Sequence, residues 1–337
     1  MGASAKAVPT VEKFPEFLEN FSKDIEKKTI FSIEKFLNEN TVYKLRPEET
    51  RKKIQCDIDD ILKNLTNGFR TIDTYAKFLY LTDNEKYHTV KSILNISLLI
   101  NHFRSSIDNR YFSFLTTLLE KESNKLQFKH DIHIITWNYD LQWEFALMKL
   151  RGIQSLTDIE NYLGTDNDAE FHLPLYRLNG KIGYQMSGET PMPILEEIDF
   201  ENDPLANYNE RILRFYLNTH NNSAKSYFQF AWEDNKERAQ ACKRLAETDI
   251  LIVIGYSFPD FNREIDRQLF KAFLPNLPGK QKTLVIQNTE KNIKNVKERC
   301  ENIMDRVVGL SNYIESTDED QFHLHFTDKK PVAGYVS

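Results

Sequence analysis

Cysteine is scarce. Cys56, Cys242 and Cys300 are the only three in 337 residues, and they stand far apart. Neither a disulfide framework nor a Cys-x-x-Cys pair can be drawn from them, which excludes a structural zinc module needing about four ligands brought together. The eight histidines are scattered too; His323 and His325 stand two apart as strand residues commonly do, and no metal is expected. Long apolar runs are lacking as well. Nothing approaches the roughly 20 residues of a membrane-spanning helix, and the amino terminus has no charged-then-apolar signal pattern, so a cytoplasmic protein without membrane contact is expected. Charge of one sign is also missing: 44 Lys and Arg against 50 Asp and Glu leave −6, no electrostatic reason to expect nucleic acid. There is no internal repeat and no low-complexity tract.

Two short apolar runs organise what is present. Asp131-Ile-His-Ile-Ile-Thr136 is β-branched and too short for a helix, and polar Thr136-Trp-Asn-Tyr-Asp140 closes it. Asp249-Ile-Leu-Ile-Val-Ile254 has the same form and runs into Gly255-Tyr256-Ser257-Phe-Pro259. Strands this apolar belong to a parallel sheet covered on both faces, and ligands bind at the carboxyl ends of such strands. Two such ends suggest one nucleotide-sized crevice.

Thr136-Trp-Asn-Tyr-Asp140 resembles the Thr-x-Asn-x-Asp motif of sirtuins and, more closely, of the sirtuin-like NAD-consuming domains of bacterial anti-phage defence systems. Gly255-Tyr-Ser-Phe-Pro-Asp-Phe-Asn262 with Asp266 is similar to their second nucleotide motif, and Leu284-Val-Ile-Gln-Asn288 to the strand whose asparagine holds the adenosine ribose. Gly2-Ala3-Ser4, followed by Ala7-Val-Pro-Thr10, resembles the second half of the family's Gly-Ala-Gly-Ala-Ser phosphate loop, where small residues let backbone N–H groups approach a pyrophosphate. The family's first strand and leading glycine have no counterpart, as if the sequence began mid-motif or the cofactor site were incomplete.

The resemblance implies an α/β fold: a Rossmann-like parallel sheet of the sirtuin type, built from residues 1–10 and 126–337, with residues 11–125 as a large inserted helical subdomain. Helical spacing supports the insert, as in Ile54-Ile58-Ile61-Leu65. Further along, 181–222 reads as a loop-rich insertion with three prolines, 226–247 as a helix containing Phe230-Ala-Trp-Glu233, 291–305 as a helix, and 322–326 as a last strand.

The implied activity is hydrolysis of NAD+ to nicotinamide and ADP-ribose, as the effector of an abortive-infection system. Asn138 is the central candidate: a neutral carboxamide can hold the ribose while the C–N bond breaks through an oxocarbenium-like state. Asp140 resembles the receptor of the nicotinamide carboxamide; both residues also suit a helix start. Thr136, Gly255, Tyr256, Ser257 and Asn288 complete the cofactor candidates, with a strand-to-loop turn or an Asx turn as the structural alternative. Asn179, in Leu178-Asn179-Gly180, stands where the family reads Leu-His-Gly. A carboxamide cannot accept a proton, so activity is expected to be weakened or lost. His172 is a possible replacement base, but on a continuous strand it would lie more than about 20 Å from position 179.

The family further implies a homo-oligomer and a separate partner, either a HerA-like ATPase or a short Argonaute; no Gly-x-x-x-x-Gly-Lys-Ser/Thr loop is present. Two other functions stay open: a non-catalytic NAD or ADP-ribose scaffold or sensor, and an NAD-dependent protein deacylase, which the missing cysteine module disfavours.

Overall fold

The computed structural model describes residues 9, 13–35, 46–122, 125–128, 132–164, 172–198, 204–220, 224–274, 282–304, 310–324 and 333–336. Gly2, Ala3 and Ser4 lie outside them, as does His325. The chain is a mixed α/β protein.

The first helices are α1 (Phe14–Glu26), α2 (Pro47–Asn64), α3 (Ile72–Thr82), α4 (Asn84–Arg104) and α5 (Asn109–Leu118). Side-chain caps start three of them: Thr71, Asp83 and Asp108 accept the amides of Thr74, Lys86 and Arg110. From Val90 to Ile100 every residue of α4 is buried, so this helix has neighbours on all sides. A hairpin, β1 (Leu119–Glu122) and β2 (Lys125–Phe128), precedes β3 (Ile134–Thr136).

Next come α6 (Gln142–Arg151), α7 (Leu156–Leu163), β4 (Leu175–Arg177), β5 (Tyr184–Ser187), β6 (Thr190–Pro193), α8 (Pro204–His220) and β7 (Lys225–Ser226). The stretch expected to be loop-rich therefore contains a hairpin and a 17-residue helix. Its prolines mislead because Pro191 and Pro193 sit on an outer strand of the three-stranded sheet β6-β5-β7, while Pro204 opens α8; these are places where a missing N–H costs little.

The remaining elements are α9 (Lys236–Glu247), β8 (Ile250–Ile254), α10 (Arg263–Phe273), β9 (Lys282–Gln287), α11 (Ile293–Met304), β10 (Leu310–Ser316) and β11 (Ala333–Val336). The helix expected from residue 226 begins only at Lys236, where Asn235 accepts the Glu237 amide at 2.8 Å. Residues 227–235 instead run as turns and extended chain, because Phe228 and Phe230 are buried while Gln229 between them is not, a strand-like alternation. Nor is there a strand over 322–324; the late strands are β10 and β11.

Six strands form one parallel sheet in the order β10-β9-β8-β11-β3-β4. One face, carrying Ile134, Ile250, Ile252, Ile254 and Val285, packs into the core shared with the amino-terminal helices. The other, carrying Ile135, Leu251, Val253, Leu284 and Ile286, meets Leu245 of α9, Phe270 and Phe273 of α10, and Val296 and Cys300 of α11. Both faces are covered, which is why these strands read as continuous apolar runs. The chain winds outward from β3 to β4 on one side and from β8 through β9 to β10 on the other, so the winding reverses around β11. A crevice opens beyond the carboxyl ends at such a reversal.

Candidate functional site

Thr136 ends β3 beside Arg177 at the end of β4. The buried Thr136 hydroxyl accepts the Asn138 amide at 2.9 Å and turns the chain out of the sheet. From below, the Arg177 guanidinium donates to the Asp140 carbonyl at 2.9 Å and, through its other nitrogen, to Glu144 at 2.6 Å. Arg177 and Glu144 are both almost wholly buried. Burial pushes the Glu144 carboxyl up while the Arg177 and Lys181 charges pull it back. Paired contacts to a guanidinium that never loses its proton hold the carboxylate form.

Beyond β8, Gly255 adopts φ +66° and donates its N–H to the Gln287 carbonyl at 2.9 Å. That turn brings the Tyr256 ring parallel to Trp137, with centroids 6.0 Å apart. The Tyr256 hydroxyl donates to Asp266 at 2.9 Å and accepts from the Asn262 amide at 2.9 Å. Burial pushes the Asp266 carboxyl up to about 7, against the opposing bond from Tyr256. At the end of β9, Asn288 donates to the Tyr256 carbonyl at 3.4 Å and accepts the Thr289 amide at 2.9 Å.

Two cavities meet at Trp137, Asn138 and Pro259. One, of about 280 Å³, is largely aromatic, walled by Phe228, Phe230, Trp232 and Phe261, with Asp73, Asn138, Asn179, Gln229 and Asn262 as its main polar groups. Pro9, the one described residue of the opening stretch, also lines it. The other, of about 470 Å³, is polar and takes in Gly255, Tyr256, Ser257, Asn288, Asn292, Asn295 and Arg299. Arg299, held to the Ser257 carbonyl at 3.0 Å, is the one cation lining either cavity among the described residues.

The predicted residues divide accordingly. Asn138 and Asn179 share the aromatic cavity; Gly255, Tyr256, Ser257 and Asn288 share the polar one with Asn138; Thr136 lies buried behind them. Asp140 lines neither: its buried carboxylate accepts the Gln142 amide at 3.0 Å and starts α6. His172 is turned away, bonded to the Gly164 carbonyl. The His323 amide is bound by Gln287, and no cluster of three or more metal-ligating side chains occurs among the described residues.

Two polar residues of the aromatic cavity were missed from the sequence. Asp73, in the first turn of α3, is the one carboxylate lining the aromatic cavity among the described residues, and burial pushes its carboxyl up. In sequence it is an ordinary acidic residue at a helix start. Gln229 lay inside the stretch read as helix; the Phe228–Phe230 alternation ahead of the Asn235 cap was the signal that could have exposed it.

No family model matches the chain, and no curated protein or solved structure does.

Proposed function

We propose that the crevice binds NAD+, with the nicotinamide half in the aromatic cavity and the rest of the dinucleotide in the polar one, and that the chain hydrolyses the nicotinamide–ribose bond. The carrying observation is that Asn138 belongs to both cavities, at the junction where the scissile bond would lie. The strand order supports the reading: with β11 counted in the first position, it is the 3-2-1-4-5-6 order of doubly wound dinucleotide-binding sheets. A sirtuin-type Rossmann sheet belongs to the same proposal.

In the reaction, the C–N bond breaks and its electron pair leaves with nicotinamide, water adds to the ribose carbon, and one proton is released. Asn138 would hold the ribose as positive charge develops. Asn179 cannot take the proton, since its amide nitrogen donates to the Trp137 carbonyl at 3.1 Å and its oxygen is not basic near neutral pH. Asp73 is the carboxylate left to accept it, and turnover is expected to be slow. The role we assign is that of a cytoplasmic anti-phage effector, assembled with itself and governed by a HerA-like ATPase or short Argonaute.

Nicotinamide release from NAD+ by the purified chain is the test. Asn138→Ala should lose the activity, by about 10²-fold or more, with melting unchanged, and Asp73→Asn should slow what remains. Undiminished turnover in Asn138→Ala removes the residue from the mechanism. NAD+ binding without nicotinamide release would favour the second reading, a non-catalytic NAD or ADP-ribose sensor, which the pinned Asn179 side chain favours.

A further inference from the structure

We propose that Arg299 makes the polar cavity selective for a dinucleotide with a phosphate on its adenosine ribose, NADP+ over NAD+, and is the specificity-determining residue of the site. The inference rests on the reading that this cavity takes the adenosine half. Arg299 lines the polar cavity and not the aromatic one, so it faces the part of the ligand away from nicotinamide. Backbone bonds build the corner that holds it. The Asn288 carboxamide ties the Tyr256 carbonyl to the Thr289 amide, and the Thr289 carbonyl accepts the amides of Asn292 and Ile293, so α11 starts directly beside the loop that carries Ser257. Asn292, Asn295 and Arg299, three and four residues apart, share one face of α11, and all three line the cavity. The Arg299 Nη1 donates to the Ser257 carbonyl at 3.0 Å, which sets the side chain against that loop.

A carbonyl does not neutralise a guanidinium. Among the described residues no carboxylate lies within 4 Å of Arg299, whereas Lys297 on the same helix is paired with Glu315 at 2.7 Å. The remaining Arg299 donors, the Ser257 hydroxyl and the carboxamides of Asn292 and Asn295 have no protein partner among the described residues either. These four residues are exposed, so a ligand in the cavity reaches them. No carboxylate lines the polar cavity among the described residues. In a dinucleotide site a carboxylate accepts the ribose 2′-hydroxyl and repels a phosphate there, while an arginine in that place receives one. A phosphate monoester brings nearly two negative charges and three acceptor oxygens to the guanidinium fork. A pyrophosphate is held as readily by backbone N–H groups and needs no such cation. From Asn292 to Arg299 the helix face runs about 10 Å, room for a ribose together with its phosphate.

Equilibrium binding tests the inference apart from the reaction. Calorimetry on the whole chain would compare NADP+ with NAD+, and adenosine 2′,5′-bisphosphate with adenosine 5′-monophosphate. In each pair the ligand with the 2′-phosphate should bind about tenfold or more tighter, and the ratio should shrink as salt rises because the contact is exposed. In Arg299→Gln both ratios should fall toward one; the side chain is exposed, so the variant should fold, and a ratio read within each form cancels a general loss of affinity. Equal binding within the pairs overturns the proposal. So does a ratio untouched in Arg299→Gln, and if that variant weakens NAD+ and NADP+ alike, Arg299 holds the pyrophosphate instead. Absence of binding by either dinucleotide overturns this proposal and the proposed function together. An NADP+ preference lost in Arg299→Gln but without nicotinamide release sinks the reaction and keeps the role of Arg299. Nicotinamide release with equal affinities for NAD+ and NADP+ does the reverse.

Discussion

The loop after β3 is tied down by buried charge, whereas the loop after β8, which meets it at Trp137 and Tyr256, is shaped by backbone conformation and the bonds of the Tyr256 hydroxyl, with the Arg299 contact to the Ser257 carbonyl lying exposed. Under the first, Arg177 grips the Asp140 carbonyl and is neutralised by Glu144, with the Lys181 ammonium 3.8 Å from the same carboxylate. In the second, Gly255 at φ +66° turns the chain and the Tyr256 hydroxyl bridges Asn262 and Asp266. A buried ion pair responds to the loss of one partner; a loop resting on a protonatable carboxyl responds to pH. Asn138 is therefore rigidly placed, while its partner wall is adjustable.

The largest effect should come from breaking the charged side. Glu144→Gln leaves the buried Arg177 guanidinium without its paired carboxylate, while Lys181 keeps its closer contact to Glu160, and a stability loss of roughly 3–5 kcal/mol is expected. Chemical denaturation measures it. A loss under about 1 kcal/mol would mean that the first loop does not depend on the pair.

The other loop should be broken by pH. Asp266 has a folded pKa of about 7, far above the ordinary aspartate value of 3.8. Between those values the unfolded chain has released this proton while the folded chain keeps it, so stability is full below about pH 4, falls as pH rises, and levels off above about 7. The loss is on the order of 4 kcal/mol at most. Asp266→Asn, which cannot ionise, supplies the reference because other carboxyls titrate over the same range. Parallel melting curves for the two forms from pH 4.5 to 7.5 would show that Asp266 ionises freely in the fold.

How much of this could be read in advance follows from where each signal sits. β8 and β9 were legible because both faces of the sheet are covered and every residue of those strands is buried. The grouping of Gly255, Tyr256, Ser257 and Asn288 was legible because they follow the carboxyl ends of two apolar strands, β8 and β9, which lie side by side in the sheet. The wall from Phe228 to Trp232 was not, since its aromatic spacing suits a helix as well as an extended segment. Asp140 belongs to the same pattern as Asn138, yet pattern alone cannot say that its carboxylate turns inward to the Gln142 amide. Asp73 reaches the cavity only through the packing of α3, about 65 residues before Asn138 on the same cavity, and no local signal carries that.

Position 179 sharpens the contrast from the rigid side. If Asn138 is fixed and only proton acceptance is weak, then Asn179→His should raise nicotinamide release by roughly 10²-fold and make it independent of Asp73. Single-turnover rates for Asn179→His, with and without Asp73→Asn, are the measurement. Should native chain and histidine variant turn over equally fast, the proton goes elsewhere.

The smallest effect concerns the backbone of the adjustable loop. Gly255 and Phe258 both have positive φ, at +66° and +52°, but only the first is glycine. A side chain in that conformation costs about 1–2 kcal/mol, which Phe258 offsets by burying its ring beside Tyr256 and Phe270. Gly255→Ala gains no such burial, so it should lower stability by about that amount. It should also weaken NAD+ binding, because Gly255 lines the polar cavity and a shift there moves Tyr256 against Trp137. Denaturation midpoints and binding isotherms on the same variant separate the two consequences. Lower stability with unchanged affinity would confine the turn at Gly255 to a folding role; unchanged stability would mean that the loop relaxes around the new methyl group, and that its shape comes from Tyr256, Asn262 and Asp266 rather than from the glycine.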